Sequence, residues 1–133
     1  MYDHFNKIVD SVEVPVVSLI TDADNNIVAI SENERQAKFK ICGHAEINVI
    51  NKLFKKYQSK NLKGFKLYST LEPCKMCVGA IEQTGLNEVF YFVDNKKFGG
   101  SATADNRITF KKINGEEATY FEEQLKKYFA KLR

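Results

Sequence analysis

Residues 65–93, with the sequence FKLYSTLEPCKMCVGAIEQTGLNEVFYFV, decide how this chain folds. FKLYST (65–70) and EVFYFV (88–93) are rich in aromatic and β-branched residues, which predicts two strands. A helix is predicted between them, over about residues 74–83. Pro73 is expected to open this helix, because a proline in the first turn sacrifices no helical hydrogen bond. Two strands connected by a helix are expected to lie parallel in one sheet.

The segments on either side extend this unit. VPVVSLI (14–20) and IVAI (27–30) predict a hairpin, because the turn-forming DADNN lies between them. ITFKKI (108–113) predicts one more strand. Three further helices are predicted, over residues 2–11, 44–57 and 116–131. The order α-β-β-α-β-α-β-β-α indicates an α/β protein with a mixed sheet and helices on both of its faces.

Two of these helices are predicted from apolar side chains that recur on one side. In the helix over 44–57 they are Ile47, Ile50, Leu53, Phe54 and Tyr57. In the helix over 116–131 they are Tyr120, Phe121, Leu125, Tyr128 and Phe129. Both helices are therefore expected to pack on the sheet through these residues.

The composition restricts the class of protein. A length of 133 residues fits one domain, so we expect a single domain over residues 1–133. No segment approaches the roughly 20 apolar residues that cross a bilayer, and the N-terminus lacks the pattern of a secretion signal. We therefore expect a cytoplasmic protein that does not associate with membranes. The net charge of +3 is too small to identify a partner.

Two motifs carry the candidate chemistry: His44-Ala45-Glu46, and Pro73-Cys74-Lys75-Met76-Cys77. Cys74 and Cys77 are three residues apart, so a helix places both sulfurs on one face. The helix N-terminus favours thiolates, which are the form that binds metals. One imidazole and two thiolates leave one position of a tetrahedral zinc ion for water, as in catalytic rather than structural sites. The residues therefore predict Zn²⁺ as the cofactor.

Glu46 is the candidate catalytic residue. Zinc can lower the pKa of a bound water towards about 7, and a carboxylate outside the ligand set can accept the proton and deliver it to a departing amine. His-x-Glu followed by Pro-Cys-x-x-Cys is the signature of zinc-dependent base deaminases. The combination predicts a hydrolytic deaminase.

Other interpretations of the cysteines stay open. An odd number of cysteines without a secretion signal argues against a disulfide framework. Cys74 and Cys77 could still be buried packing residues or a redox pair. Cys42 lies two residues before His44 and could complete a closed, structural site of four ligands, in which Glu46 would have no task.

The chain resembles the cytidine deaminase superfamily, and within it the TadA-type tRNA adenosine deaminases. The similarity extends over nearly the whole sequence. It is carried by Val14-Pro15-Val16, Asn33-Glu34-Arg35, His44-Ala45-Glu46-Ile47, Thr70 through Ala80, Asp94 through Ser101, and Tyr128 through Arg133. The chain differs in having Lys40-Ile41-Cys42-Gly43 where that family has Asp-Pro-Thr-Ala.

The resemblance implies a cytidine deaminase-like fold of three layers, α-β-α, around a five-stranded mixed sheet. It also implies a homodimer and the conversion of adenosine to inosine at the wobble position of a tRNA anticodon stem-loop. By the same comparison, Asn33 would bind the flipped base or its ribose, and the Ala45 backbone would contact the base edge.

Three functions stay open at this point. A deaminase that acts on tRNA needs basic groups near the flanking phosphates, and Lys127, Lys131 and Arg133 are the candidates. A deaminase of free cytosine, guanine or nucleosides would use the same metal site, with the last helix closing over the pocket. A non-catalytic partner subunit that keeps zinc for structure is the third, although Glu46 argues against it.

Overall fold

The computed structural model describes residues 1–9, 15–33, 43–58, 61–96, 98–104 and 107–131. For Tyr2, His4, Ile8, Val9, Thr103 and Lys131 it describes only the backbone. The helices are α1 (Tyr2–Val9), α2 (Ala45–Tyr57), α3 (Lys75–Glu82) and α4 (Glu116–Lys131), with a short 3-10 turn at Ser101–Thr103. The strands are β1 (Val17–Thr21), β2 (Ile27–Glu32), β3 (Lys66–Leu71), β4 (Glu88–Val93) and β5 (Thr109–Lys112).

The strands form one five-stranded sheet in the order β2-β1-β3-β4-β5. β1 pairs antiparallel with both β2 and β3, because the hairpin turns the chain back and β1 then lies beside β3. β3, β4 and β5 are parallel. The mixed five-stranded sheet predicted from the sequence is confirmed, as is the parallel pair around α3.

Apolar side chains pack on both faces of this sheet. On one face, residues of α2 and α3 surround Ile20, Leu67 and Val89, which lie side by side on β1, β3 and β4. On the other face, α1 and α4 pack over the opposite side of β1 and β4 through Phe5, Val17, Phe92, Phe121 and Leu125. The Phe121 ring lies 4.5 Å from that of Phe5 and 5.2 Å from that of Phe92, between centroids. The molecule therefore has the three layers that were expected.

Some details of the helices differ from the expectations. The buried side of α2 consists of Ala45, Glu46, Val49, Ile50 and Leu53, so it includes a carboxylate and is rotated away from Tyr57. Tyr57, the last residue of α2, is 47% exposed, and Phe129, near the end of α4, is 46% exposed. Pro73 does not open α3 either: the helix begins at Lys75 with Cys74 as its N-cap, so Pro73 precedes the cap.

A row of polar side chains joins α2 to β2. The donor side chains are four residues apart on the helix, a distance of about 6 Å along its axis. The acceptor carbonyls are two residues apart on the strand, a distance of about 6.7 Å. The donors are the side chains of Asn48, Lys52 and Lys56, and the acceptors are the backbone carbonyls of Glu32, Ile30 and Val28, respectively. The similar spacings allow one helix face to follow one strand, which fixes α2 against the sheet.

Within the described ranges, no helix combines the length and the apolar character needed to cross a membrane.

Candidate metal centre and active site

The three predicted metal ligands meet where α2 and α3 begin. His44 is the N-cap of α2, Cys74 is the N-cap of α3, and Cys77 follows in the first turn of α3. In the described part of the chain, neither cap side chain hydrogen-bonds to its own helix. Ser, Thr, Asp and Asn are preferred at an N-cap because their side chains satisfy a free N–H. Here both cap side chains are directed to each other instead.

The distances between the three side chains fit a zinc ion. A tetrahedral zinc with bonds of about 2.3 Å to sulfur and about 2.0–2.1 Å to nitrogen separates two sulfurs by about 3.8 Å and a sulfur from a nitrogen by about 3.5–3.6 Å. The two sulfurs are 3.6 Å apart, and His44 Nδ1 lies 3.6 Å from Cys74 Sγ and 3.4 Å from Cys77 Sγ. The donor atoms form a group that could hold a metal ion. Both the donor set and its spacing therefore fit zinc.

The two thiols shift each other's pKa in opposite directions. A hydrogen bond with Cys77 lowers the pKa of Cys74 to about 4. The same interaction, together with burial, raises the pKa of Cys77. Because metals bind thiolates, a metal ion held by both sulfurs would also have to displace the proton of Cys77.

Glu46 lies in the first turn of α2, on the buried side of the helix, and is 3% exposed. Ser18 Oγ on β1 is 3.3 Å from Glu46 Oε1 and 3.0 Å from Ser69 Oγ on β3. Since a hydroxyl has one proton, a consistent arrangement has Ser69 donating to Ser18 and Ser18 donating to Glu46. Burial is the main cause that raises the pKa of the Glu46 carboxyl above its usual value. The alternation of strand residues did not reveal this hydroxyl pair, because both serines lie within apolar stretches.

Asn33 and Ala45, the two residues implied in substrate binding, contact each other. Asn33 Oδ1 accepts a hydrogen bond of 2.9 Å from the Ala45 N–H. This N–H belongs to the first residue of α2, so Asn33 provides the cap that His44 does not. A base that contacted the Ala45 N–H would have to share it with Asn33. Their roles towards a substrate stay a prediction.

The candidate RNA-contacting residues are only partly described. Lys127 is exposed on α4. The side chain of Lys131, all of Arg133, and Cys42, the candidate fourth ligand, lie outside the described residues. The described part of α4 packs on the face of the sheet opposite to α2 and α3. Its core residues, Phe121 and Leu125, pack with Phe5 of α1 and not with α2 or α3.

The comparisons with known proteins point to deaminases. The sequence model of the MafB19-like deaminase family matches residues 2–133. A tRNA-specific adenosine deaminase of Rickettsia bellii is 41% identical over 88 residues, which cover 65% of this chain and 61% of the relative. The enzyme of the same name from Rickettsia typhi is 32% identical over 135 residues, which cover 93% of this chain and 89% of the relative.

A solved structure has a similar fold over nearly the same length. It comes from work on A-to-I editing by tRNA:A34 deaminases at the wobble position of transfer RNA. Its TM-score is 0.78 at 25% sequence identity, and the match covers 92% of this chain and 93% of the other. The cytidine deaminase-like architecture inferred from the sequence is therefore confirmed.

We expect the cap that Asn33 provides to contribute measurably to stability. Asn33→Ala should lower the free energy of unfolding by about 1–3 kcal/mol, because it leaves the buried Ala45 N–H without its acceptor. Asn33→Asp retains an acceptor oxygen and should cost less. Asn51→Ala, an exposed position of α2, is the matched control and should change stability by less than about 0.5 kcal/mol. Urea titration measures all three; equal stabilities of Asn33→Ala and the control would exclude this role.

Proposed function

The chain belongs to the MafB19-like deaminase family, and from this premise we propose that it is a zinc-dependent hydrolytic deaminase that converts adenosine to inosine at the wobble position of tRNA. The observation that carries the proposal is the group formed by His44, Cys74 and Cys77, whose donor distances match tetrahedral zinc, beside the buried carboxylate of Glu46. The substrate is inferred from the names of the relatives. The aligned segment spans 61% of the Rickettsia bellii relative, and 89% of the Rickettsia typhi relative.

The proposed ligands are His44 through Nδ1, Cys74 and Cys77. Zinc, when bound, is a Lewis acid that makes water a nucleophile at neutral pH. The cluster supplies three donors, which would leave one coordination position of a zinc ion for water. Glu46 does not need to be a ligand, and its carboxylate stays basic enough to take a proton.

Glu46 moves the protons in this proposal. Deamination of adenosine adds water at C6 of the base and releases ammonia, so one proton must leave the water and the departing nitrogen must gain one. The buried carboxylate takes the first proton from the water and delivers it to N1 of the base. It then takes the second proton from the hydroxyl added at C6 and delivers it to the amine, which leaves as ammonia while C6 becomes a carbonyl. Ser18 holds Oε1 of Glu46, which restricts the carboxylate to one orientation. A proton held in a dry site does not exchange with bulk water between these steps.

The position of α4 favours a large substrate over a free base. A small-molecule deaminase would use this helix to close the pocket, whereas α4 lies on the opposite side of the sheet from α2 and α3. A flipped nucleotide within an RNA loop needs an accessible site. Lys127, together with Lys131 and Arg133, is proposed to contact phosphates of the RNA outside the pocket. The homodimer and the cytoplasmic location stay predictions.

A substrate comparison tests the function. The purified protein is incubated with a tRNA anticodon stem-loop carrying adenosine at the wobble position, and separately with free adenosine, cytidine, guanine and cytosine. Inosine is expected in the stem-loop alone, measured by mass spectrometry of the digested RNA. The same stem-loop with guanosine at the wobble position is the control. Turnover of a free base or nucleoside instead would support the small-molecule deaminase and contradict the tRNA assignment.

Metal content tests the ligand set. We expect about one zinc per chain in the purified protein, and almost none after His44→Ala or Cys74→Ser, because each variant removes one of three ligands. Cys42→Ala should keep the zinc, since Cys42 is not in the proposed set. Elemental analysis of the dialysed proteins gives the ratio. If Cys42→Ala also lost the metal, the site would be closed by four ligands and the enzyme proposal would fail.

Glu46→Gln tests the proton transfer separately from metal binding. The substitution preserves shape and should lower kcat by at least about 10²-fold, because the amide cannot accept the proton. Zinc content should be unchanged. Glu88→Gln, the same chemical change at the beginning of β4, should have activity close to that of the unchanged protein. A Glu46→Gln variant that kept its activity would show that the proton carrier has been wrongly assigned; an unchanged protein with zinc and no activity on any substrate would favour the non-catalytic subunit.

A further inference from the structure

The Glu72 carboxylate binds both ends of the loop that follows β4. Its Oε1 accepts a hydrogen bond of 3.2 Å from the backbone N–H of Asn95. Its Oε2 accepts two from Ser101, one of 3.2 Å from the backbone N–H and one of 2.5 Å from the hydroxyl. Three donors on one carboxylate hold Asn95 and Ser101, the two ends of the loop 95–101, close to the end of β3. The structure describes this loop except for residue 97.

This loop contacts the backbone at the start of α3. Cys74 and Gly99 form an isolated β-bridge, and the Gly100 N–H donates a 2.9 Å hydrogen bond to the carbonyl of Pro73. Neither Gly99 nor Gly100 has room for a side chain. A Cβ on Gly99 would lie 2.6 Å from Glu72 Oε2, and a Cβ on Gly100 would lie 2.8 Å from the Cα of Lys75.

The start of α3 needs this external support. Cys74 is the N-cap, but its sulfur lies 3.6 Å from His44 Nδ1 and makes no cap hydrogen bond within the described residues. The other helix of the site has its substitute cap in Asn33, which acts on the Ala45 N–H. At α3 the loop makes a different contact, because the Gly100 N–H donates to the carbonyl of Pro73, just before the cap, and Gly99 pairs with Cys74. Glu72 holds that loop.

We propose that Glu72 is a positioning residue for the metal centre: by holding the loop 95–101 on the start of α3, it fixes the place of the Cys74 sulfur. It contacts neither metal nor substrate. The inference rests on the proposed zinc site. Groups that hydrogen-bond to metal ligands typically change metal affinity by about 10–100-fold when they are replaced. Glu72 acts one step further away, through the loop that contacts the backbone of Pro73 and Cys74.

The test compares Glu72→Gln with Glu88→Gln, which makes the same change at the other end of the sheet. Gln keeps one acceptor oxygen but places an NH₂ group opposite a backbone N–H donor, so at least one hydrogen bond between residue 72 and the loop is lost. Competition between protein and a chromophoric chelator for Zn²⁺ should show about 10–100-fold weaker binding for Glu72→Gln and unchanged binding for Glu88→Gln. The visible bands of the Co²⁺-substituted protein report the geometry around the sulfurs, and should shift for Glu72→Gln alone.

Two further variants keep the test decisive. Ser101→Ala removes one of the three donors and leaves the carboxylate intact, so it should weaken Zn²⁺ binding less, by about threefold or more. Glu72→Asp keeps both acceptor oxygens and should recover part of the affinity that Glu72→Gln loses.

If Glu72→Gln melts earlier yet has the Zn²⁺ affinity and Co²⁺ spectrum of the unchanged protein, Glu72 serves stability only and the inference is wrong. If Glu72→Gln does not fold, normal Zn²⁺ binding by Ser101→Ala overturns it equally. Failure of the unchanged protein to bind Zn²⁺ would instead reject the proposed function.

Discussion

The site depends on one constraint: the residues that begin two adjacent helices use their side chains on each other and not on their own helices. A helix start has N–H groups without partners, and a polar cap residue usually satisfies one of them. His44 and Cys74 occupy the cap positions and point into the shared cluster. Each helix therefore has to be held from elsewhere, by Asn33 at α2 and by the loop bound to Glu72 at α3. The two supports come from different parts of the sequence, and both act where α2 and α3 begin.

The second feature that shapes the site is a carboxylate in an apolar environment. Glu46 lies on the side of α2 that packs on the sheet, where a charged group without partners would destabilise the protein. Ser18 and Ser69 provide polar contacts from two neighbouring strands. The sheet thus does more than support the helices, since its hydroxyl groups make a buried acid tolerable at this position. Its raised pKa follows from the same burial that keeps water away from it.

The sequence predicted the elements and the cluster well, because both leave a pattern in side-chain types. The limits of β4 and α4 agree with the predicted 88–93 and 116–131. β2 and β3 are both antiparallel to β1 and therefore end at the same edge of the sheet, which explains why the motifs that follow them, 30 residues apart, meet there. The supports of the ligands could not be predicted in the same way. Asn33 and Glu72 bind backbone N–H groups, which every residue type except proline has, so no partner residue marks them in the sequence. The exposure of Tyr57 was missed because the buried side of α2 includes Ala45, Glu46 and Val49, which the apolar periodicity did not mark, and is therefore rotated away from Tyr57.

The row that joins α2 to β2 also determines how this protein can meet other chains. An outermost strand normally offers a line of open carbonyls on which a foreign strand can assemble. Along β2 those of Glu32, Ile30 and Val28 already accept hydrogen bonds from α2 side chains. These carbonyls are less available to a foreign strand, which disfavours strand-by-strand growth of the sheet on this flank.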